Sequence, residues 1–187
     1  MLFTGKGDNG TTKTFGCDQR ISKSSAVAEA LGSLDEINSF LGLCKVKSKV
    51  SGFSTKTEKG VASFEKIVGD IQQNLFTVQA QIAGADKEIT ETKIKEVEEM
   101  INGIEKQLPP IKSFFVSGGT ELAAMFDTAR TMARRAERRV VAAGEEGRTK
   151  VHKNTLAYLN RLSSILYALA RLSNHKSGIT EEPPLYM

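Results

Sequence analysis

After Ser24 and Ser25, apolar residues recur at Val27, Leu31, Leu34, Ile37 and Leu41. Spacings of three and four put them on one face of a helix, with a serine placed to cap its start and an end expected near Cys44. The same rhythm returns in Phe64, Ile67, Ile71, Leu75, Val78 and Ile82, and again in Ile94, Val97, Ile101, Ile104 and Leu108, where Pro109-Pro110 stops it. A fourth seam follows Gly118-Gly119-Thr120, with Leu122, Met125 or Phe126, Ala129, Ala133, Ala136 and Val140 on one side. Leu159, Leu162, Leu166 and Leu169 make a fifth. Amphipathic helices of this length bury their seams by packing nearly antiparallel, so the pattern predicts an all-α five-helix bundle.

The intervening stretches read differently. Residues 45–60, KVKSKVSGFSTKTEKG, are rich in Lys, Ser, Thr and Gly and read as a mobile surface connection. The first twenty residues carry Gly5, Gly7, Gly10 and Gly16 among Thr, Lys and Asp, too little apolar content for a core, and read as a loop ordered by itself or by a ligand. The closing EEPPLYM is too short and Pro-rich for a sixth helix and either frays or docks on the bundle. The expected organisation is one domain with an arm (1–23), a bundle (24–174) and a tail (175–187).

Composition narrows this picture modestly. A chain of 187 residues, 40% of them hydrophobic, is enough for one core. All four prolines lie at or after Pro109, leaving the first hundred residues without helix breakers, and Trp is absent. The 26 Lys and Arg against 22 Asp and Glu give a net charge of +4, compatible with an anionic substrate and short of what a nucleic-acid backbone binder needs. Cys17 and Cys44 sit in no CxxC or Cys/His cluster and read as free thiols. No apolar run approaches the roughly 18–20 residues of a membrane helix, and Met1-Leu2-Phe3 leaves no room for a presequence before the first motif, so the expected location is the cytoplasm, with no membrane partner.

Several polar groups are candidates for chemistry. Glycines in the arm let backbone amides approach an anion, although Thr11 stands where a Walker A loop needs Lys; a plain flexible terminus is the competing reading. In ARTMARRAERR, Arg130, Arg134 and Glu137 or Arg138 share a helical face. They form either a solvated surface with Arg134 paired to Glu137, or a site where Arg130 or Arg134 meets an acid such as Asp35, or a polyphosphate. Asp35, Glu36 and Asn38 interrupt the first seam, and Asn160 and Arg161 the last; a structural hydrogen-bond network accounts for any one of them as well as a site does. Phe114 and Phe115 precede a helix start and either cap the core or offer an aromatic wall to a ligand.

Four blocks occur in order: TGKGDNGTTKTFG (4–16), ALGSLDEINSFLG (30–42), FVSGGTELAAMFDTARTMARRAERRV (115–140) and YLNRLSSILYALAR (158–171), with DIQQNLFTVQAQIAG between the second and third. Together they resemble the PduO-type ATP:corrinoid adenosyltransferases over almost the whole chain. The resemblance implies a ferritin-like five-helix bundle preceded by a Gly-rich ATP-binding loop, assembled as a homotrimer with active sites between subunits. It implies ATP contacts from Thr4, Gly5, Lys6, Gly7, Asp8, Gly10 and Thr12, with Lys23 nearby. Arg134, Glu137 and Asn160 match positions that contact ATP or its Mg2+, Glu137 being the metal-side residue. Asp35 and Arg130 match a pair that bridges subunits beside the corrinoid, and Phe114 an aromatic that closes the lower face of the ring. Arg130, Arg134 and Asp35 are thereby the implied catalytic residues.

The implied reaction is attack by the cobalt of cob(I)alamin on the 5′ carbon of ATP, giving adenosylcobalamin and inorganic triphosphate. No protein nucleophile is required, in keeping with a chain whose only histidines are His152 and His175 and which suggests no Ser/His/Asp or Cys/His constellation. ATP, Mg2+ and cobalamin are the implied ligands, K+ an admissible further one, and a cobalamin reductase (a flavoprotein) and an adenosylcobalamin-dependent enzyme the implied protein partners. Ser117, Asp127 and Ser164 depart from the family's usual Pro, His and Asp, with consequences expected for loop stiffness, one helix contact and ligand affinity. A cobalamin chaperone or sensor without turnover, and a helical module using RRAERR on nucleic acid, are the competing functions; Glu137 splits the charge run against the latter.

Overall fold

A computed structural model describes residues 2–15, 19–57, 60–147 and 149–186. Five helices form: α1 (Ala26–Ser51), α2 (Phe64–Ile82), α3 (Glu91–Glu105), α4 (Glu121–Glu145) and α5 (Lys153–Lys176). Two hairpins join them, β1 (Thr11–Lys13) with β2 (Arg20–Ser22), and β3 (Ser54–Thr57) with β4 (Gly60–Ser63), each antiparallel. The side chains of Ser25, Ser63, Thr90 and Thr120 accept from the amide three residues on, satisfying one orphan N–H at the start of each of the first four helices. In the bundle α1 packs on α2 and α4, and α5 on α4 and α3.

The predicted seams are the core, with local adjustments. Val27, Leu34, Ile37 and Leu41 are buried, while Leu31 is only partly covered. All six seam residues of α2 and the four seam leucines of α5 are buried. On α4 the ring of Phe126, not Met125, is the one sealed inside. Ile101 and Leu108 pack against the core from its margin, and α3 stops at Glu105, before the prolines.

Two expectations need correction. The first helix does not end near Cys44 but continues to Ser51, because Lys is a good helix former and the last turns need bury only Ser48. It stops where Gly52, at φ 66°, takes the left-handed conformation and its N–H returns to the carbonyls of Ser48 and Lys49. The rest of the supposed mobile connection is the β3–β4 hairpin, packed on α3 and tied by a 2.8 Å hydrogen bond from Gln107 Nε2, just past that helix, to buried Thr55 Oγ1. The arm likewise holds more than loop. In β1–β2, Arg20 Nε donates to Thr11 Oγ1 (2.6 Å) and Nη2 to the Thr11 carbonyl (2.8 Å). Gly16 and Cys17 lie outside the described residues; Cys44 is a buried free thiol whose pKa burial pushes up to about 12. Among the described residues no helix is long and apolar enough to cross a membrane.

Candidate active site

At one end of the bundle, α4, α5 and the irregular segment 109–119 enclose a cleft of about 600 Å³. From α4 come Asp127, Arg130 and Arg134, which lie three and four residues apart and therefore on one face. Tyr167 faces them from α5, and Phe114 stands on the irregular segment with 80% of its surface exposed. A large aromatic left in solvent on a backbone without regular structure is uncommon for a folded core and ordinary for a ligand surface.

The two arginines differ in their surroundings. Arg130 Nε donates to Asp127 Oδ1 at 3.1 Å, and its guanidinium lies 5.8 Å from the Tyr167 ring centroid. Partial burial there raises the Tyr167 pKa, so the phenol stays neutral at neutral pH. Arg134 is exposed and has no acid partner among the described residues. Of the two readings of this face, the one that pairs Arg134 with Glu137 is not what forms among the described residues. Instead, just beyond the cleft, half-buried Glu137 accepts from Asn160 Nδ2 at 3.2 Å, and Arg161 Nη1 donates to Asn160 Oδ1 at 2.8 Å. Among the described residues neither His nor Cys lines the cleft, and no group of three or more His, Cys, Asp or Glu gathers to hold a metal.

The structure thus gathers Phe114, Arg130 and Arg134 in one cleft, with Glu137 and Asn160 beside it, and leaves Asp35 and the arm elsewhere in the chain. Asp35 is exposed in a groove between α1 and α2 with Gly32, Phe76 and Gln79, so the meeting of Arg130 or Arg134 with Asp35 is not made within one chain, and Asp127 takes its place. In the arm, Thr4, Gly5, Lys6, Asp8 and Gly10 are exposed and Gly7 and Thr12 half-buried. Gly5 and Gly10 sit at φ 68° and 77°, and the Asp8 and Gly10 amides close turns onto the Gly5 and Gly7 carbonyls. The Lys23 amide bonds the Gly10 carbonyl, and its Nζ would lie 3.1 Å from a Cβ on Gly7, so Lys23 covers the glycine turn. This arm packs at the other end of the bundle, where Phe15 and Arg20 line a hollow with Ile82 and Glu146. Glu146, which caps the end of α4, is twelve residues beyond Arg134, about 18 Å along the axis at 1.5 Å per residue.

Sequence reasoning missed Tyr167, Arg171, Asn174 and Glu181, all of which line the cleft. The available signal was Arg171 and Asn174 just past the final leucine seam, on a helix still apolar at Leu172, where a buried polar side chain needs a partner. Ser117, Asp127 and Ser164, the three departures from the family pattern, all line it.

A family model for cobalamin adenosyltransferase matches residues 2–173. The chain is 35% identical to the corrinoid adenosyltransferase of Bacillus subtilis, covering 95% of this chain and 89% of that one. It is also 35% identical to the corrinoid adenosyltransferase PduO of Citrobacter freundii, of which it spans 50% with 93% of its own length. A variant of the PduO-type ATP:corrinoid adenosyltransferase from Lactobacillus reuteri, solved with cobalamin and ATP, superposes with a TM-score of 0.85 at 29% identity, covering 98% of this chain and 96% of that one. With the bundle, the sequence and the extent of these matches in agreement, the chain belongs to the cobalamin adenosyltransferase family.

Proposed function

We propose that the chain transfers the 5′-deoxyadenosyl group of ATP to the cobalt of a reduced corrinoid. The electron pair of Co(I) becomes the Co–C5′ bond while the C5′–O bond breaks, and inorganic triphosphate leaves with the electron pair of that C5′–O bond. The observation that carries the reading is a cleft that sets an exposed aromatic, Phe114, against two arginines, one without an acid partner among the described residues, which also bring no His or Cys to the cleft as a nucleophile or base. Such a site suits a substrate that brings its own nucleophile and a leaving group whose negative charge must be met.

In this reading Arg134 meets the triphosphate with planar, bidentate donors. Arg130, held by Asp127 over Tyr167, borders the corrinoid, and Phe114 packs on the ring's lower face. Magnesium arrives with ATP: Glu137 offers one carboxylate, already oriented by Asn160, and Mg2+ commonly takes one or two carboxylates plus phosphate oxygens. The glycine turn with Lys6 and Lys23 supplies amides and ammonium groups for the same polyphosphate. Since the arm packs beside Glu146, about half the length of α4 away from Arg134 and outside its cleft, a neighbouring subunit brings its arm to this cleft, in a homotrimer whose Asp35 also approaches Arg130 across the boundary. A cytoplasmic flavoprotein reductase supplies the reduced corrinoid, and K+ is a further candidate ligand.

The competing basic-helix reading loses ground because Arg135 and Arg139 are engaged by Glu36 and Glu29 of α1 and do not form an open stripe. The test is an anaerobic mixture of the protein, Mg-ATP and chemically reduced cobalamin, followed by the corrinoid spectrum. Appearance of adenosylcobalamin at a rate proportional to protein is expected; binding without turnover would leave a chaperone or sensor.

A further inference from the structure

The cleft's aromatic wall has to be held by something other than its own burial. Phe114 is 80% exposed, and residues 109–119 form neither helix nor strand, so their backbone must be fixed from outside if the ring is to sit in one place. The structure supplies ties at the start, middle and end of this segment, all from the end of α5 and the tail behind it. Arg171 Nη2 donates to the Pro109 carbonyl at 3.1 Å, and its guanidinium stacks 5.0 Å from the Phe115 ring centroid. The Val116 amide donates to the Glu182 carbonyl at 2.9 Å. Asn174 Nδ2 donates to the Gly118 carbonyl (2.9 Å), while its Oδ1 accepts from the Thr120 amide (3.0 Å) at the start of α4. A Cβ on Gly119 would fall 2.5 Å from that same Oδ1, and its φ is +92°, so the segment's end admits glycine at this point.

The tail is itself folded back to make these bonds. The Ile179 amide donates to the Asn174 carbonyl at 3.0 Å, and Arg171 Nε donates to Glu181 Oε2 at 2.8 Å. Arg171 and Glu181 are shielded, with side chains only 5% and 16% exposed. Taking two charges out of water is costly, and removing one leaves the other uncompensated. The hydrogen bonds of this pair join the end of α5 to the cleft wall and the tail, without reaching the other helices.

We propose that Arg171 and Glu181 are positioning residues: through them the folded-back tail holds the 109–119 wall and so sets where Phe114 meets the corrinoid. This rests on the adenosyltransferase reading and adds to it that the corrinoid side of the site is tuned by the tail while the nucleotide side is not. The test uses the full chain with Glu181→Gln, which keeps the shape and removes the charge, and Glu181→Asp as the conservative variant. For Glu181→Gln the expected result is a rise of about 10-fold in KM for the corrinoid, the scale set by sub-ångström misplacement of a positioning group. KM for ATP should stay within about twofold, while Tm falls because Arg171 loses its partner, the chain staying folded at the assay temperature. Faster hydrogen exchange at the Val116 amide should accompany the change, with Glu181→Asp returning part of the loss. An unchanged corrinoid KM, or both KM values rising together, would overturn the proposal while leaving the activity in place. An unmutated chain that makes no adenosylcobalamin would overturn the reading beneath it.

Discussion

Two faces of the same helix carry arginines that look alike in sequence and differ in what they meet. On one face of α4, Arg135 pairs with Glu36 and Arg139 Nε lies 3.4 Å from Glu29 Oε1, fastening α4 to α1 at the surface. On the other, Arg130 and Arg134 look into the cleft, the first steadied by Asp127 and the second with no acid partner among the described residues. Between the faces runs a stripe of Ala129, Ala133, Ala136 and Ala143, none of them exposed, on which the helix meets its neighbours. Position around the helix, not residue type, separates an arginine whose charge is already answered from one still available to a ligand's anion.

The comparison is most sharply tested at Arg134. Arg134→Ala should lower adenosylation by about 10²- to 10³-fold, the scale of losing one preorganised charge-stabilising donor, while circular dichroism and Tm show a folded bundle. Mixing that variant with Lys23→Ala should then restore about a quarter of wild-type activity per site, as expected when subunits of a cyclic oligomer combine at random and each site draws its arm and its arginine from different chains. Recovery absent from freshly co-refolded mixtures would place arm and cleft in separate roles. On the alanine stripe, Ala133→Leu should cost roughly 1–3 kcal/mol in denaturant unfolding through overpacking, with activity falling only as the folded fraction falls. Arg139→Ala, on the α1 side, should cost less than about 1 kcal/mol and leave turnover within twofold, because exposed ion pairs contribute little. A large activity loss at Arg139 would erase the distinction between the two faces.

Much of this was readable from the chain alone. The leucines of α5 and the seam of α2 repeat at helical spacing and are buried, because a buried stripe leaves a periodic trace that needs no knowledge of its partner. The end of α1 was not readable: its last turns, KVKSKVS, expose Val46 and Val50 and carry lysines, so helix propensity there works without a seam to reveal it. The β3–β4 hairpin hides for a related reason. STKT buries only Thr55, and four residues among charges give too short an alternation. Within the site, Arg130, Arg134 and Phe114 stood out by type and spacing, and the chain brings them together. Asp35 and the glycine turn stood out equally, yet no periodicity within one chain tells which surface a second copy would cover. Arg171 escaped notice because its value lies in bonds to Pro109 and Glu181, 62 and 10 residues away in sequence, and composition carries no record of such closures.

The most direct measurement is the stoichiometry of products from Mg-ATP and chemically reduced cobalamin under anaerobic turnover. If the cobalt attacks C5′ and Arg134 meets the leaving charge, one inorganic triphosphate appears for each adenosylcobalamin, and both fall together in Arg134→Ala. Release of ADP and phosphate, or triphosphate without a matching cobalt–carbon bond, would contradict the account.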